Sequence, residues 1–168
     1  MSIQPPREDS LIEEIVQTYK NMVYKIALTH THSQTDADDV FQQTFLIYFS
    51  KNMSFHDEEH RKAWIIRTAV NCCKKITTSS WRKKMVPLNE LSGQSFQFET
   101  EDQNILFAAL QELPPRYRTV IHLYYFEDYS AQRIGSILKI KAGTVRMQLL
   151  RGRQLLRNKL KGVYFDET

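Results

Sequence analysis

Apolar residues recur at three- and four-residue steps along most of this chain, and no segment shows the strict alternation of a half-buried strand, so its core must be built from helices. Between Leu11 and Thr29, the residues Leu11, Ile12, Ile15, Val16, Tyr19, Met22, Val23, Ile26 and Ala27 make one face of a long helix. Asp36 is placed to cap a second helix with Val40, Phe41, Phe45 and Tyr48 as its buried stripe and Asp38, Asp39, Gln42 and Gln43 outside. A third helix is expected from Arg61 to Thr77, with Ala63, Trp64, Ile66, Val70 and Cys73 inward. These elements define a first domain, residues 1–78.

Periodicity lapses between Ser79 and Glu101, where Ser79, Ser80, Pro87, Asn89, Ser92, Gly93, Gln94 and Ser95 interrupt it. We read 79–101 as a flexible linker, longer than a compact domain usually carries without a function. A second domain, 102–168, opens with a helix from about Asp102 to Leu110. Pro114-Pro115 starts the next, where a missing amide costs nothing, and it carries Tyr117, Val120, Ile121, Tyr124 and Tyr125. Ser130 then caps a short helix with Ile134, Ile137 and Leu138 inward. The last helix runs from Ala142 or Gly143 toward Leu160, with Val145, Leu149, Leu155, Leu156 and Leu160 as its core candidates. The expected fold is all-α: two small helical domains joined by a flexible linker, the second a helix-turn-helix domain.

Charge gives the second domain a partner. The formal net charge of +4 is modest, but from Ser130 to Lys161 there are nine Lys or Arg residues and no Asp or Glu. Such a patch attracts a polyanion with an affinity that falls as salt rises. Lys139, Lys141, Thr144, Arg146, Met147, Gln148 and Arg151 lie at the exposed start of the last helix. Arg pairs with guanine edges and Gln with adenine, while Thr144, Lys139 and Lys141 suit phosphate. Arg153, Arg157, Lys159 and Lys161 add attraction to the DNA backbone. A merely solubilising basic face is the plain alternative, but acidic residues would then be expected among the basic ones. Acidic residues cluster instead at Asp36, Asp38 and Asp39 and at Asp57, Glu58 and Glu59, positions suited to water or a protein partner.

Other chemistries find little footing. Cys72 and Cys73 are adjacent and suit neither a useful disulfide loop nor a four-ligand zinc site. They read as reduced core cysteines, and the five histidines as surface residues forming no persuasive metal or acid-base set. The expectation is a protein that is not an enzyme, with no metal and no cofactor. No leader opens the chain and no apolar run approaches the ~18 residues of a membrane span, so a soluble, cytoplasmic protein without direct membrane insertion is expected.

The whole chain resembles the extracytoplasmic-function sigma factors, promoter-specificity subunits of bacterial RNA polymerase. The resemblance rests on Tyr19 to Ala27, Asp36-Ala37-Asp38-Asp39-Val40-Phe41-Gln42-Gln43-Thr44-Phe45, and Ala63-Trp64-Ile65-Ile66-Arg67-Thr68-Ala69-Val70-Asn71. It continues through Leu113-Pro114-Pro115-Arg116-Tyr117-Arg118, Tyr129-Ser130, Gly143-Thr144-Val145-Arg146, Arg151-Gly152-Arg153 and Leu156, all in order. It implies that Asp38, Asp39, Gln42, Gln43 and Leu46 contact core polymerase. It implies that the loop from Lys51 to His60, through Asn52, Ser54, Phe55 or His56, captures an unstacked minus-ten base, and that Arg61, Arg67, Asn71, Lys74 and Lys75 grip the melted strand. Trp64 reads as core rather than a stacking platform. The helix-turn-helix residues Lys139, Lys141, Thr144, Arg146, Met147, Gln148, Arg151 and Arg153 are implied to hold the minus-thirty-five duplex. In the linker, Glu90, Glu99, Glu101 and Asp102 are candidates to mimic nucleic-acid charge, and Trp81, Phe96 and Phe98 to anchor it. Two positions depart from the family pattern: Lys75 where Asp is frequent, and Lys139 in place of the usual turn Gly, at a conformational cost. Core RNA polymerase, promoter DNA and an anti-sigma protein, membrane-bound or not, are the implied partners. A stand-alone helix-turn-helix repressor is the competing reading.

Overall fold

In a computed structural model, residues 8–31, 33–79 and 101–164 are described, with the side chains of 8–10, 77–79 and 162–164 left aside. Among these residues every regular element is a helix: α1 (Glu8–Thr31), α2 (Gln34–Ser50), α3 (Glu58–Ser79), α4 (Glu101–Gln111), α5 (Pro115–Tyr125), α6 (Ala131–Leu138) and α7 (Ala142–Tyr164). The interior of the expected linker, with Trp81, Glu90, Phe96, Phe98 and Glu99, lies outside the described residues. Glu101 and Asp102 belong to the first turn of α4, where negative charge meets the positive end of the helix.

Helices α1, α2 and α3 pack on one another around Val23, Ile26, Ala27, Ala37, Val40, Ile65, Ile66 and Ala69, each at most 2% exposed. Fully burying an Ile contributes roughly 1.5–3 kcal/mol, so this group alone carries much of the first half's cohesion. The apolar stripe of α1 is covered only from Ile15 onward. Leu11 and Ile12, expected inward, stay 47% and 41% exposed. The cap of α2 is also displaced from the expectation. Ser33, in an extended conformation, accepts a hydrogen bond from the Asp36 amide at 3.3 Å, and Asp36 lies buried one turn inside. The shorter Ser side chain reaches back to that amide, whereas Asp36 has already entered the helix.

In the second half α7 lies against α5 and α6, and α4 against α5 and α7. Pro114 and Pro115 open α5 as anticipated. Its buried face holds Tyr117, Val120, Ile121 and Leu123, while Tyr125 turns out to solvent. Along α7, Val145, Leu149 and Leu156 are buried, but Leu155 is exposed because it sits about a quarter turn round from them. Gly152 lets α7 approach α5 closely: a Cβ there would come 2.4 Å from Ile121 Cδ1.

The two halves also meet, through α1 with α4 and α5 and through α3 with α6. Two histidines expected at the surface are buried in this junction, His30 on α1 and His122 on α5. Cys72 and Cys73 are buried thiols, as expected of core cysteines, and burial pushes both pKa values up.

Candidate nucleic-acid interface

The helix-turn-helix is fixed by local chemistry. Ser130 Oγ accepts from the Arg133 amide at 3.1 Å and starts α6. Lys139 ends it at φ 57° and ψ 46°, the left-handed conformation that the family's usual glycine adopts without strain. The chain then folds back on itself, with the Ile140 amide donating to Gly135 O at 3.0 Å. This return leaves no room at position 135: a Cβ would stand 2.7 Å from Ile140 O. A glycine in α6 and a left-handed lysine after it therefore set the angle at which α7 leaves the turn.

With Val145 and Leu149 buried, the opposite face of α7 is presented outward. Thr144, Arg146, Met147 and Arg151 are exposed there, Gln148 is half-buried, and Lys139 and Lys141 stand exposed at the turn. Thr144, Met147, Gln148 and Arg151 share a surface recess of about 350 Å³ with Gly143, Arg116 and Tyr117. Arg116 was not among the expected site residues. It donates to the Tyr117 hydroxyl at 3.2 Å, and with Arg151 nearby it holds the Tyr117 pKa below its ordinary value. Its position just after Pro115, on the first turn of a helix, was the available signal. Arg153 behaves differently from its neighbours. It lies 4.9 Å from the Tyr124 ring, and its Nε donates to the Tyr125 hydroxyl at 2.9 Å, so it is turned toward α5.

In the first half, Lys51, Arg67, Asn71, Lys74 and Lys75 line one recess of about 460 Å³, with Ile47, Trp64, Thr68 and Cys72 as its other walls and no acidic residue among them. Asn71, Lys74 and Lys75 are exposed on α3. The recess does not include Asn52, Ser54, Phe55, His56 or Arg61. Asn52 and Ser54 are exposed on the preceding loop. Phe55 stacks parallel to Tyr48 at 6.0 Å and edge-on to half-buried Trp64 at 5.9 Å, so both rings help build an aromatic cluster. Arg61 is tied to that cluster by donating from Nε to the Tyr48 hydroxyl at 3.1 Å and by an ion pair with Glu58. His56 stacks on His60 at 5.2 Å and stays exposed.

On α2, Asp39, Gln42, Gln43 and Leu46 follow one another at three- and four-residue spacing and are all exposed, Leu46 at 62%. Phe49 extends the same stripe, 40% exposed, and was missed because an aromatic at helical spacing reads as core. Asp38 faces inward of this stripe and accepts a hydrogen bond from the Tyr24 hydroxyl. Burial first, and then that bond, push the Tyr24 pKa up to about 12. Among the described residues no cluster of His, Cys, Asp or Glu suits a metal ion, and no helix is long and apolar enough to cross a membrane.

Two parts of the sigma-70 family match the chain in order: region 2 over residues 15–84 and region 4 over residues 103–156. The chain belongs to the extracytoplasmic-function sigma factors, and it acts as an alternative sigma factor in transcription initiation; a stand-alone repressor finds no support. It is 29% identical over 157 residues to the ECF RNA polymerase sigma factor SigE of Mycolicibacterium smegmatis, a match spanning 88% of this chain and 61% of that protein. It is 28% identical over 155 residues to the ECF sigma factor SigM of Bacillus subtilis, covering 87% of this chain and 93% of the relative. The fold is shared with the sigma factor RpoE in its complex with the anti-sigma factor NepR from Bartonella quintana, at a TM-score of 0.69 and 20% identity over 89% of this chain and 96% of that one.

Proposed function

We propose that this chain brings core RNA polymerase to promoters by holding the minus-thirty-five element with α7 and the separated minus-ten strand with the α3 face. The ordered pair of sigma-70 regions carries this reading, the second ending on a helix with six basic and no acidic residues. Arg146, Gln148 and Arg151 read or grip duplex DNA, with Thr144, Met147, Lys139 and Lys141 beside them and Arg116 added from α5. Arg153 supports from the flank. Arg67, Asn71, Lys74 and Lys75 hold the melted backbone. A base leaves the stack toward the loop of Asn52, Ser54, Phe55 and His56, with Arg61 stiffening the aromatic wall beneath. Asp39, Gln42, Gln43 and Leu46 form the polymerase-docking stripe, and Asp38 orders its inner edge.

Mechanistically, the duplex contact and the single-strand contact act through one chain, which raises the effective concentration of the second once the first has formed. Capture of unpaired bases draws the equilibrium toward open DNA because binding favours that state. Bond formation in RNA belongs to the polymerase. The protein works in the cytoplasm, where an anti-sigma protein restrains it, and any link to a membrane runs through that partner. The test is to mix the purified chain with core polymerase and a promoter library and to sequence RNA start sites. New starts that depend on the chain are expected; their absence would refute the proposal.

A further inference from the structure

Tyr117 is buried on α5, at a position where a phenylalanine would bury the same ring. It leaves its helix against α7: a Cβ at Gly152 would come 3.3 Å from the Tyr117 Cβ. Arg151 immediately precedes that glycine, so the close approach of the two helices brings the tyrosine and the arginine together.

The hydroxyl is what a phenylalanine would lack, and two cations use it. Arg116 donates to it from Nη2 at 3.2 Å, with its guanidinium carbon 4.7 Å from the centre of the Tyr117 ring. Hydrogen bonding from Arg116 first, and from Arg151 as well, draws the Tyr117 pKa below its ordinary value, against the upward pull of burial. One neutral oxygen thus gathers a guanidinium from α5 and another from α7.

That arrangement suits a third participant. Two like charges drawn to one neutral atom repel each other, and an anion between them removes that cost. Neither guanidinium can accept a hydrogen bond, so the phenol's own proton serves an acceptor other than these two. The recess of about 350 Å³ around the three side chains has no acidic residue in its walls, which Thr144, Met147 and Gln148 help to form. Arg116 and Arg151 are both exposed at it. A DNA phosphate meets these conditions, since it is charged and takes hydrogen bonds from Arg and Tyr side chains alike. A base edge offers acceptors without the net charge.

We propose that Arg116, Tyr117 and Arg151 form a clamp for a single DNA phosphate, in which Tyr117 positions both arginines through its hydroxyl. The clamp sets the register of α7 on the duplex and leaves the choice of base to Arg146 and Gln148. This inference rests on the promoter-binding reading above and assigns Arg151 to the DNA backbone.

The test replaces the phosphates of a promoter duplex one at a time by uncharged methylphosphonates and measures binding with core polymerase present. The clamp is expected to appear as a linkage whose neutralisation weakens wild type about fivefold or more, and the Arg116→Gln, Arg151→Gln double variant less than about twofold. Tyr117→Phe is expected to weaken binding to the unmodified promoter by about three- to tenfold. That loss should vanish when both arginines are already Gln, as it must for a residue that acts only through them. A Tyr117→Phe loss that persists undiminished in the double variant would overturn the proposal, as would equal binding by Tyr117→Phe and wild type. So would a scan in which every linkage responds alike in wild type and the double variant. If the double variant fails to fold by circular dichroism, Tyr117→Phe is scanned in its place, and an unreduced response at every linkage sinks the clamp. Should the chain with polymerase bind no promoter duplex at all, the promoter reading falls and this inference with it; promoter binding with no linkage set apart refutes the clamp alone.

Discussion

Helices α2 and α7 are built by the same rule and differ in the sign of what they show to solvent. Each buries an apolar stripe, Val40 and Phe45 in one, Val145, Leu149 and Leu156 in the other. The exposed side of α2 carries acidic Asp39 with Gln42, Gln43 and Leu46, and the helix has three acidic and no basic residues. The exposed side of α7 carries Arg146 and Arg151, and the helix has six basic and no acidic residues. Packing physics therefore specifies where each helix sits, and the unburied remainder carries the proposed partner: protein for α2, a polyanion for α7.

The sharpest way to break that contrast is to reverse the charge of α7. Arg146→Glu with Arg151→Glu should lower promoter-duplex affinity on the order of 100-fold at low salt, measured by fluorescence anisotropy with core polymerase, and should flatten the salt dependence. Asp39→Ala with Gln43→Ala should leave duplex affinity unchanged and weaken binding to core polymerase by about tenfold. If the α2 pair altered DNA binding and spared polymerase, the division of labour would be wrong. Next in size, Gly135→Ala forces a Cβ against the Ile140 carbonyl and should destabilise the second half by about 1–3 kcal/mol in thermal or denaturant unfolding. A neutral result would mean that the turn is looser than its geometry indicates.

The junction between the halves should respond to acid. Burial, with Lys25 nearby, lowers the His122 pKa from its ordinary 6.5 to about 3. A depressed folded-state pKa means that the stabilisation is complete above pH 6.5 and is lost as pH falls from 6.5 toward 3, because the separated or unfolded chain takes up the proton first. The initial loss should be at most about 1.4 kcal/mol per pH unit, seen as expansion in small-angle scattering between neutral pH and pH near 5.5, and His122→Gln should flatten it. The smallest effect concerns the turn. Lys139→Gly relieves a left-handed lysine and should stabilise the second half by up to about 1 kcal/mol, offset in part by the greater freedom of glycine in the unfolded chain. A clear loss of stability there would show that the Lys139 side chain contributes more than its backbone costs.

Much of the helical framework was legible because its causes are local. Ser130 before an apolar stripe, Pro115 at a first turn and three- to four-residue spacing all act within a turn or two of the chain. Local reading failed where two candidates competed at short range, as with Ser33 and Asp36 at the start of α2. It failed too where a stripe outran its neighbours: Leu11, Ile12, Tyr125 and Leu155 are apolar, and nothing packs over them fully. The exposed residues of α7 could be named from the stripe they oppose. That Arg153 bends onto Tyr124 and Tyr125, and that Arg116 joins the recess on α7, depended on how α5 lies beside it.

The sequence by itself determined the seven-helix plan of the described residues, the sign of each exposed face and the family, since these follow from residue type and short-range spacing. Only the tertiary structure decided what becomes of Thr29, His30, Arg118 and His122. Their hydrogen bonds join residues 89 to 93 positions apart, and periodicity carries no information over that distance. A buried polar group takes its partner from whatever the fold brings beside it.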